Sequence, residues 1–208
     1  MAALNKNYNS NQIILGPCDV WLNVGLPAAS ARLVLTSGTP DDGAGNSPNA
    51  IHLGMTEAGV TFEYTPEIQD FSSDELTAPH LSRIVSESAR ITGNFLQVFN
   101  WNILEKMTVG GKKTVDTNTS TGYEELTFGG QSEITTFPVA VIGQDIQGTN
   151  QYWVIQLYKT FNRAGFSFTV TRRNQSQAPF EFVGQAITSR AAGDQIGNFW
   201  HQGAANTA

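Results

Sequence analysis

The sequence predicts a mainly β protein, an antiparallel β-sandwich or partial barrel with one flanking α-helix. Two long segments, residues 58–66 and 84–95, alternate apolar and polar side chains with a period of two. Such alternation is typical of strands with one buried and one hydrated face. Shorter alternating segments follow, separated by glycine and asparagine turns, and one stretch has helical spacing. These features predict roughly eight to ten strands and one helix in a single domain spanning residues 1–208.

Each of the two long strands has one apolar and one polar face. In the first strand the apolar face consists of Ala58, Val60, Phe62 and Tyr64, and the polar face of Gly59, Thr61, Glu63 and Thr65. In the second strand the apolar face consists of Val85, Ala89, Ile91 and Phe95, and the polar face of Ser86, Ser88, Arg90, Thr92 and Asn94. A sheet built from these strands presents a polar wall rather than a pocket.

The remaining elements are predicted from shorter patterns. Val20, Leu22 and Val24 lie on one face of a strand over residues 18–24. Further strands are predicted over residues 32–35, 123–128, 137–142, 152–161, 165–172 and 179–187, with residues 162–165 forming a hairpin turn. A helix is predicted over residues 95–108, capped by Asn94 and ended by two glycines.

The predicted helix has an apolar stripe that would lie on the sheet. Phe95, Phe99, Ile103 and Met107 recur every three to four residues. We therefore expect Phe99 to be buried and the helix to cover the apolar face of the long strands or the opening of the sandwich. Trp101 lies off the stripe and is expected to contact an outer sheet or a neighbouring subunit.

Three segments are predicted to lie outside the core. Residues 1–12 are rich in asparagine and predict a flexible N-terminal arm, and residues 188–208 predict a C-terminal arm. Residues 36–50 form a long loop without an apolar side chain larger than alanine. Loops of this length are usually functional or disordered, and we expect this one to order against a neighbouring copy. The loop residues expected to make that contact are Pro40, Asp41, Asp42, Gly43, Asn46 and Pro48.

Composition narrows the classes of partner. Charged residues make up 14% of the chain, against roughly 25% in typical soluble domains. A polar but weakly charged exterior is expected for a protein that buries much of its surface against copies of itself, the alternative being a secreted or particle-surface β protein. The net charge is −6 and no basic stripe is present, so tight nucleic-acid binding is not expected.

Targeting and cysteine patterns point to folding in a reducing cytoplasm. The single cysteine, Cys18, allows no internal disulfide framework and is expected to be a small buried residue. The apolar run at residues 13–15 is too short for a signal sequence. No segment approaches the ~20 apolar residues of a membrane helix, so no membrane partner is expected.

Catalytic patterns are not found in the sequence. His52, His80 and His201 stand in separate predicted loops, so we expect no metal site, no cofactor and no enzymatic activity. Acidic residues are concentrated in the stretch 57–75, which contains no lysine or arginine: Glu57, Glu63, Glu67, Asp70, Asp74 and Glu75. Glu87 follows on the next strand. These carboxylates indicate either a solvated acidic face or, less favoured, a paired-carboxylate glycosidase, which would need a cleft.

The run Leu53-Gly-Met-Thr-Glu-Ala-Gly-Val-Thr-Phe-Glu-Tyr-Thr-Pro-Glu67 resembles the major tail tube proteins of long-tailed bacteriophages. In that family a similar glycine-rich segment opens the first long inner strand. The order of two long strands and a helix with a central asparagine, Asn100 or Asn102 here, is also similar. The resemblance covers residues 53–111. Ala58 departs from the second glycine that is frequent in the family, which leaves the subgroup open.

The resemblance implies a β-sandwich that forms hexameric rings stacked head to tail into a hollow tube. Each subunit would contribute four long strands to a continuous inner barrel. Twenty-four strands spaced ~4.8 Å and tilted ~40° give a backbone diameter of roughly 45–50 Å, which accommodates a DNA duplex. The residues expected to face the lumen are Thr61, Glu63, Thr65, Ser86, Ser88 and Arg90. An acidic lumen would repel phosphates and let DNA slide.

The resemblance also implies the partners and location of the protein. These are further copies of itself, the tape measure protein, the tail tip and terminator proteins, and double-stranded DNA in transit. The protein would be assembled in the host cytoplasm and reside in the tail of the virion. The alternatives are the inner tube of a contractile injection machine or a capsid decoration protein, with a glycan-binding sandwich less favoured because the four tryptophans do not cluster in one loop.

Overall fold

A computed structural model of the chain describes residues 18–29, 31–36, 38–41, 49–71, 81–118, 122–144, 151–169 and 176–202. Within these ranges the chain forms twelve β-strands and one α-helix. The predicted mainly β fold with antiparallel sheets and one helix is therefore confirmed. The predicted N-terminal arm and the loop residues Asp42, Gly43, Asn46 and Pro48 lie outside the described residues.

The elements follow one another in this order: β1 (Cys18–Leu22), β2 (Val34–Thr36), β3 (Thr39–Asp41), β4 (Ile51–His52), β5 (Thr56–Phe71), β6 (Leu81–Phe95), α1 (Trp101–Met107), β7 (Lys112–Val115), β8 (Glu124–Thr127), β9 (Phe137–Gln144), β10 (Tyr152–Asn162), β11 (Ala178–Gly184) and β12 (Gly197–Gln202). The longest are β5 with 16 residues and β6 with 15, the two strands predicted from period-two alternation. Both extend several residues beyond the predicted boundaries.

The main sheet has eight strands and is antiparallel throughout. Its strand order is β4-β1-β9-β10-β11-β6-β5, and β12 pairs with the first half of β10. Because β4 continues into β5 through only residues 53–55, the two ends of this order lie close together, and β1 contacts β5. The sheet therefore curls into a partial barrel. The hairpins β2-β3 and β7-β8 form two separate two-stranded sheets, which are not hydrogen-bonded to the main sheet.

The principal core fills the inside of this curl. Side chains from both halves of the sheet meet there because each strand turns alternate residues inward. Its fully buried members include Val20, Leu22, Leu53, Ile91, Phe95, Val139, Phe182 and, from α1, Ile103 and Met107. A second cluster lies on the outer face of β9 and β10. It is covered by the β2-β3 hairpin and by the segment that joins β1 to β2. Its members are Val24, Leu33, Leu35, Ala140, Ile142 and Val154.

The helix begins later than predicted. Phe95 remains in β6, where it pairs with Ala178 of β11, and Asn100 rather than Asn94 caps α1 by accepting a bond from the amide of Asn102. The predicted burial of Phe99 is therefore wrong, because this side chain precedes the helix and is 66% exposed, with its ring against Phe168 at 5.5 Å. Sheet pairing of residues 93–95 prevails over helical spacing.

The helix still covers the core at one end of the curled sheet. Ile103 and Met107 are fully buried in the principal core, as the stripe predicted. α1 packs against β10 and the β7-β8 hairpin. The side-chain amide of Asn162 in β10 donates to the backbone carbonyl of Met107 at 3.0 Å. The helix was predicted to lie either on the outside of the long strands or across the opening of the sandwich, and its main contacts are with β10, β7 and β8.

Three predicted segments differ from the structure. Residues 165–169 are not a strand, and β10 pairs instead with β11, 16 residues further along the chain. The predicted C-terminal arm contains β12, which extends the main sheet along β10. In the predicted loop, Pro40 and Asp41 belong to β3, and Pro40 is buried opposite Leu35 of β2.

Candidate functional site

The residues predicted to face a lumen lie together on one face of the β5-β6 hairpin. Strand register places Glu63 opposite Arg90 and Thr65 opposite Ser88, and Thr61 and Ser86 continue the same face at either end. All six side chains are exposed. We call this surface the polar face: Thr61, Glu63, Thr65, Glu67, Ser86, Ser88, Arg90 and Thr92. Period-two alternation positions it correctly because no bulge interrupts the pairing between Val60 and Glu67.

Arg90 is the centre of a charged network on the polar face. Its Nε atom donates to Oε2 of Glu63 at 2.5 Å, and its Nη2 atom contacts the same carboxylate. Its Nη1 atom lies 3.5 Å from Oε1 of Glu181, which comes from β11 on the other side of β6. The hydrogen bond and the charge of Glu63, followed by the charge of Glu181, raise the pKa of the Arg90 guanidinium.

Glu181 is a polar-face residue that the sequence analysis missed. It lies between Phe180 and Phe182, both buried, so its side chain points to the opposite face of β11 from theirs. The alternation within residues 179–183 was the available signal. The contact with Arg90 joins strands that are distant in sequence, so no local pattern predicts it.

The acidic residues of the 57–75 stretch do not form one surface. Asp70 and Glu87 lie on the opposite face of the hairpin, where Asp70 accepts a bond from Ser82 and Glu87 accepts one from Tyr64, each at 2.5 Å. Asp74 and Glu75 lie outside the described residues. Val85 forms a bulge between the pairs Glu67–Ser86 and Ile68–Ile84.

This bulge changes the charge balance of the polar face. An extra residue in one strand reverses the alternation beyond it, so Arg83 joins the same side as Glu67. Ser86 donates to Oε2 of Glu67 at 2.7 Å. The polar face therefore carries a second arginine, Arg83, in addition to the predicted Arg90, and is less acidic than the predicted lumen.

The outer part of the hairpin projects beyond the core. We call residues 62–71 and 81–87 the distal hairpin. On the face opposite the polar face, Phe62, Tyr64, Ile68 and Ile84 are 37–59% exposed, whereas Ala89 and Ile91 nearer the base are buried. β5 pairs only with β6 among the described strands. β1 contacts β5 near its base, where Cys18 meets the backbone of Val60, and no described strand pairs with the outer edge along the distal hairpin.

A groove runs under the distal hairpin. It has a volume of about 310 Å³ and separates Phe62 and Tyr64 from the β10 side chains Ile155 and Leu157, with Phe199 of β12 at its margin. Most of these side chains are apolar, and Phe199 is 59% exposed. The hairpin thus has two different faces, one hydrated and one that single subunits leave incompletely covered.

The two histidines within the described residues and the cysteine lie on three different strands, His52 on β4, His201 on β12 and Cys18 on β1. His52 lies 3.1 Å from Asp19 and packs its ring against Trp21, while His201 lies in β12 and His80 is outside the described residues. Cys18 is half-buried, and burial raises the pKa of its thiol. Within the described part of the chain, no group of three or more His, Cys, Asp or Glu residues is placed to hold a metal ion.

Among the residues that the structure describes, no helix has the length and apolarity needed to cross a membrane.

Comparison with known proteins found no family model that matches the chain and no curated protein that matches it significantly.

Proposed function

We propose that this protein is the structural subunit of a hollow phage tail tube, which forms from stacked hexameric rings and conducts the genomic DNA. The observation that carries the proposal is the distal hairpin, with its open β5 edge and its exposed apolar face. Open strand edges and contiguous apolar surfaces are usually covered in stable proteins. A second copy of the same chain covers both features at once in a ring.

The length of the hairpin supports its role in a ring. A strand of 16 residues spans about 54 Å at ~3.4 Å per residue, which is longer than the core beneath it requires. The base of the hairpin is anchored by Ile91 and Phe95 in the principal core. The distal hairpin therefore extends from an anchored base and can align with the corresponding strands of its neighbours, and closure of the ring removes the open edges.

The polar face supports the role of a conduit. If the hairpins line the inside of a ring, the hydroxyl groups of Thr61, Thr65 and Ser88 offer a hydrated wall to DNA. Arg90 is already paired with carboxylates of its own subunit. Pairing of this central arginine within the subunit leaves phosphates fewer sites for binding, which favours sliding of DNA over its retention.

Electron microscopy of the purified protein tests the proposal. Negative staining of a concentration series is expected to show rings of six subunits or long hollow rods. A protein that stays monomeric at every concentration would contradict self-assembly through the distal hairpin. Assembly only on the surface of capsids would favour a decoration protein, and tubes that bind a contractile sheath would favour the inner tube of an injection machine.

Contacts with a tape measure protein and with tail tip and terminator proteins belong to the same proposal. Co-purification of tubes with those proteins from infected cells would test them.

A further inference from the structure

Arg90 is held between carboxylates from the strands on both sides of its own. Glu63 on β5 binds its Nε and Nη2 atoms, and Glu181 on β11 approaches its Nη1 atom at 3.5 Å. These contacts engage three of the atoms through which a guanidinium binds phosphate. The side chain of Arg90 is nevertheless 49% exposed, so solvent and ligands reach it from the polar face.

An exposed arginine on such a surface would normally be a phosphate-binding group. Its planar guanidinium carries five N–H donors, remains charged at any physiological pH and forms paired hydrogen bonds to phosphate. Exposed ion pairs contribute little to folding stability. The ion pairs of Arg90 with Glu63 and Glu181 are therefore expected to contribute little to folding stability.

We propose that Glu63 and Glu181 keep Arg90 from binding DNA phosphates, and that removal of both carboxylates creates a phosphate-binding site on the polar face. This inference rests on the proposed function, because it assumes that DNA passes this face. It deepens that function because it makes Glu63 and Glu181 responsible for the weak binding of DNA to the wall. Phosphate must compete for the N–H donors of Arg90 with two carboxylates that the sheet holds beside it. Replacing both glutamates with glutamine removes that competition.

Binding of soluble protein to a short labelled DNA duplex tests the inference. The first variant is Glu63→Gln with Glu181→Gln. The matched control is Glu57→Gln with Glu67→Gln, which removes two exposed carboxylates and the same charge but leaves the contacts of Arg90 in place. A third variant adds Arg90→Gln to the first. Fluorescence anisotropy is measured over about 50 to 200 mM salt, where phosphate contacts change affinity strongly.

We expect only the first variant to gain affinity over the wild-type protein. Each arginine that engages a phosphate steepens the plot of log affinity against log salt by about one, so the slope should change by that amount and return to the wild-type value when Arg90 is replaced. Equal affinity of the first variant and wild type would overturn the inference. So would an equal gain in the matched control, because net charge would then explain the effect, or a gain that survives replacement of Arg90.

The outcome is independent of tube formation. Binding is measured on unassembled subunits, whose fold is checked by circular dichroism, and the single variant Glu63→Gln provides an intermediate case. If Arg90 is released as expected but the wild-type protein forms no rings, the proposed function fails and the assignment of Glu63 and Glu181 stands. If rings form but no variant gains affinity, the assignment fails and the proposed function stands.

Discussion

At the scale of single residues, tertiary pairing decides which of two neighbouring phenylalanines belongs to the core. Phe95 is fully buried in β6, and Phe99 is 66% exposed before α1. Replacing Phe95 with alanine should lower the free energy of unfolding by about 3–5 kcal/mol, as for other buried aromatic residues. Replacing Phe99 with alanine should change it by less than about 1 kcal/mol. Urea denaturation of both variants measures the difference, and similar losses in the two would contradict the described helix boundary.

Tyr158 gives a second residue-scale prediction. Its hydroxyl donates to Oδ1 of Asp194 at 2.6 Å, and the guanidinium of Arg190 lies 4.0 Å from its ring centre. Burial, followed by the hydrogen bond and charge of Asp194, raises the pKa of Tyr158. Since the folded pKa exceeds the unfolded value of about 10, the associated stability is complete below that pH and decreases as pH rises above it.

Denaturation as a function of pH measures this decrease. Wild-type protein should lose stability above pH ~10 more steeply than a Tyr158→Phe variant, which lacks the ionising hydroxyl. All other side chains are the same in the two proteins, so their contributions cancel in the comparison. Parallel curves for the two proteins would show that Tyr158 ionises equally in the folded and unfolded states.

At the scale of elements, the sequence predicted strands well where their side chains alternate over many residues. Between Val60 and Glu67, where no bulge interrupts the pairing, the polar and apolar faces of β5 and β6 follow from period two alone. Ala89, Ile91 and Phe95 are buried as expected. Phe62 shares that face but is exposed, because alternation indicates which face is apolar and not how far the core extends. Val85 was predicted on the same face, but it is the bulge residue at which the alternation breaks.

Elements stabilised by distant partners were harder to predict. β12 is held by its pairing with β10 and contains Phe199, Trp200 and His201, which the sequence analysis assigned to an arm. The sequence of β12 is short and does not alternate, but residues 152–157 of β10 offer it a row of backbone hydrogen-bonding partners. Such pairing with a distant strand outweighs intrinsic strand propensity. The contact of Glu181 with Arg90 was missed for the same reason, since β11 and β6 are joined only through the folded sheet.

The distal hairpin yields a prediction about assembly. Ile68 and Ile84 lie opposite each other, and they are 59% and 57% exposed. Replacing both with threonine preserves strand propensity and removes apolar surface, so monomer stability should change by less than about 1 kcal/mol while rings and rods are lost. The matched control is Ile91→Thr, which buries a hydroxyl in the principal core and should destabilise the subunit itself.

Thermal denaturation and negative-stain microscopy of these variants separate the two effects. Normal tubes from the double variant would show that this apolar pair is not part of the contact between subunits. A large loss of monomer stability in that variant would instead place the pair in the core of the single subunit, contrary to its exposure.

At the scale of the whole molecule, the chain combines a closed core with an open extension. The curled sheet, the β2-β3 hairpin and α1 form two buried apolar clusters within one subunit. The distal hairpin leaves its own apolar face exposed and its β5 edge open among the described residues. Such a division permits a subunit that folds alone and acquires its remaining contacts on assembly.

Hydrogen exchange distinguishes these two parts of the molecule. In dilute monomer, amides of β9, β10 and the base of β6 should exchange slowly, because core strands open only with the largest unfolding free energies. Amides of the distal hairpin should exchange faster, since they have few buried contacts to hold the two strands together. On assembly, protection should rise mainly in the distal hairpin, and most in β5, whose open edge gains a hydrogen-bonding partner. Mass spectrometry of monomer and assembled protein measures both states. If protection on assembly rose elsewhere while the distal hairpin remained unchanged, subunits would have to join through another surface and the ring proposed for this hairpin would be incorrect.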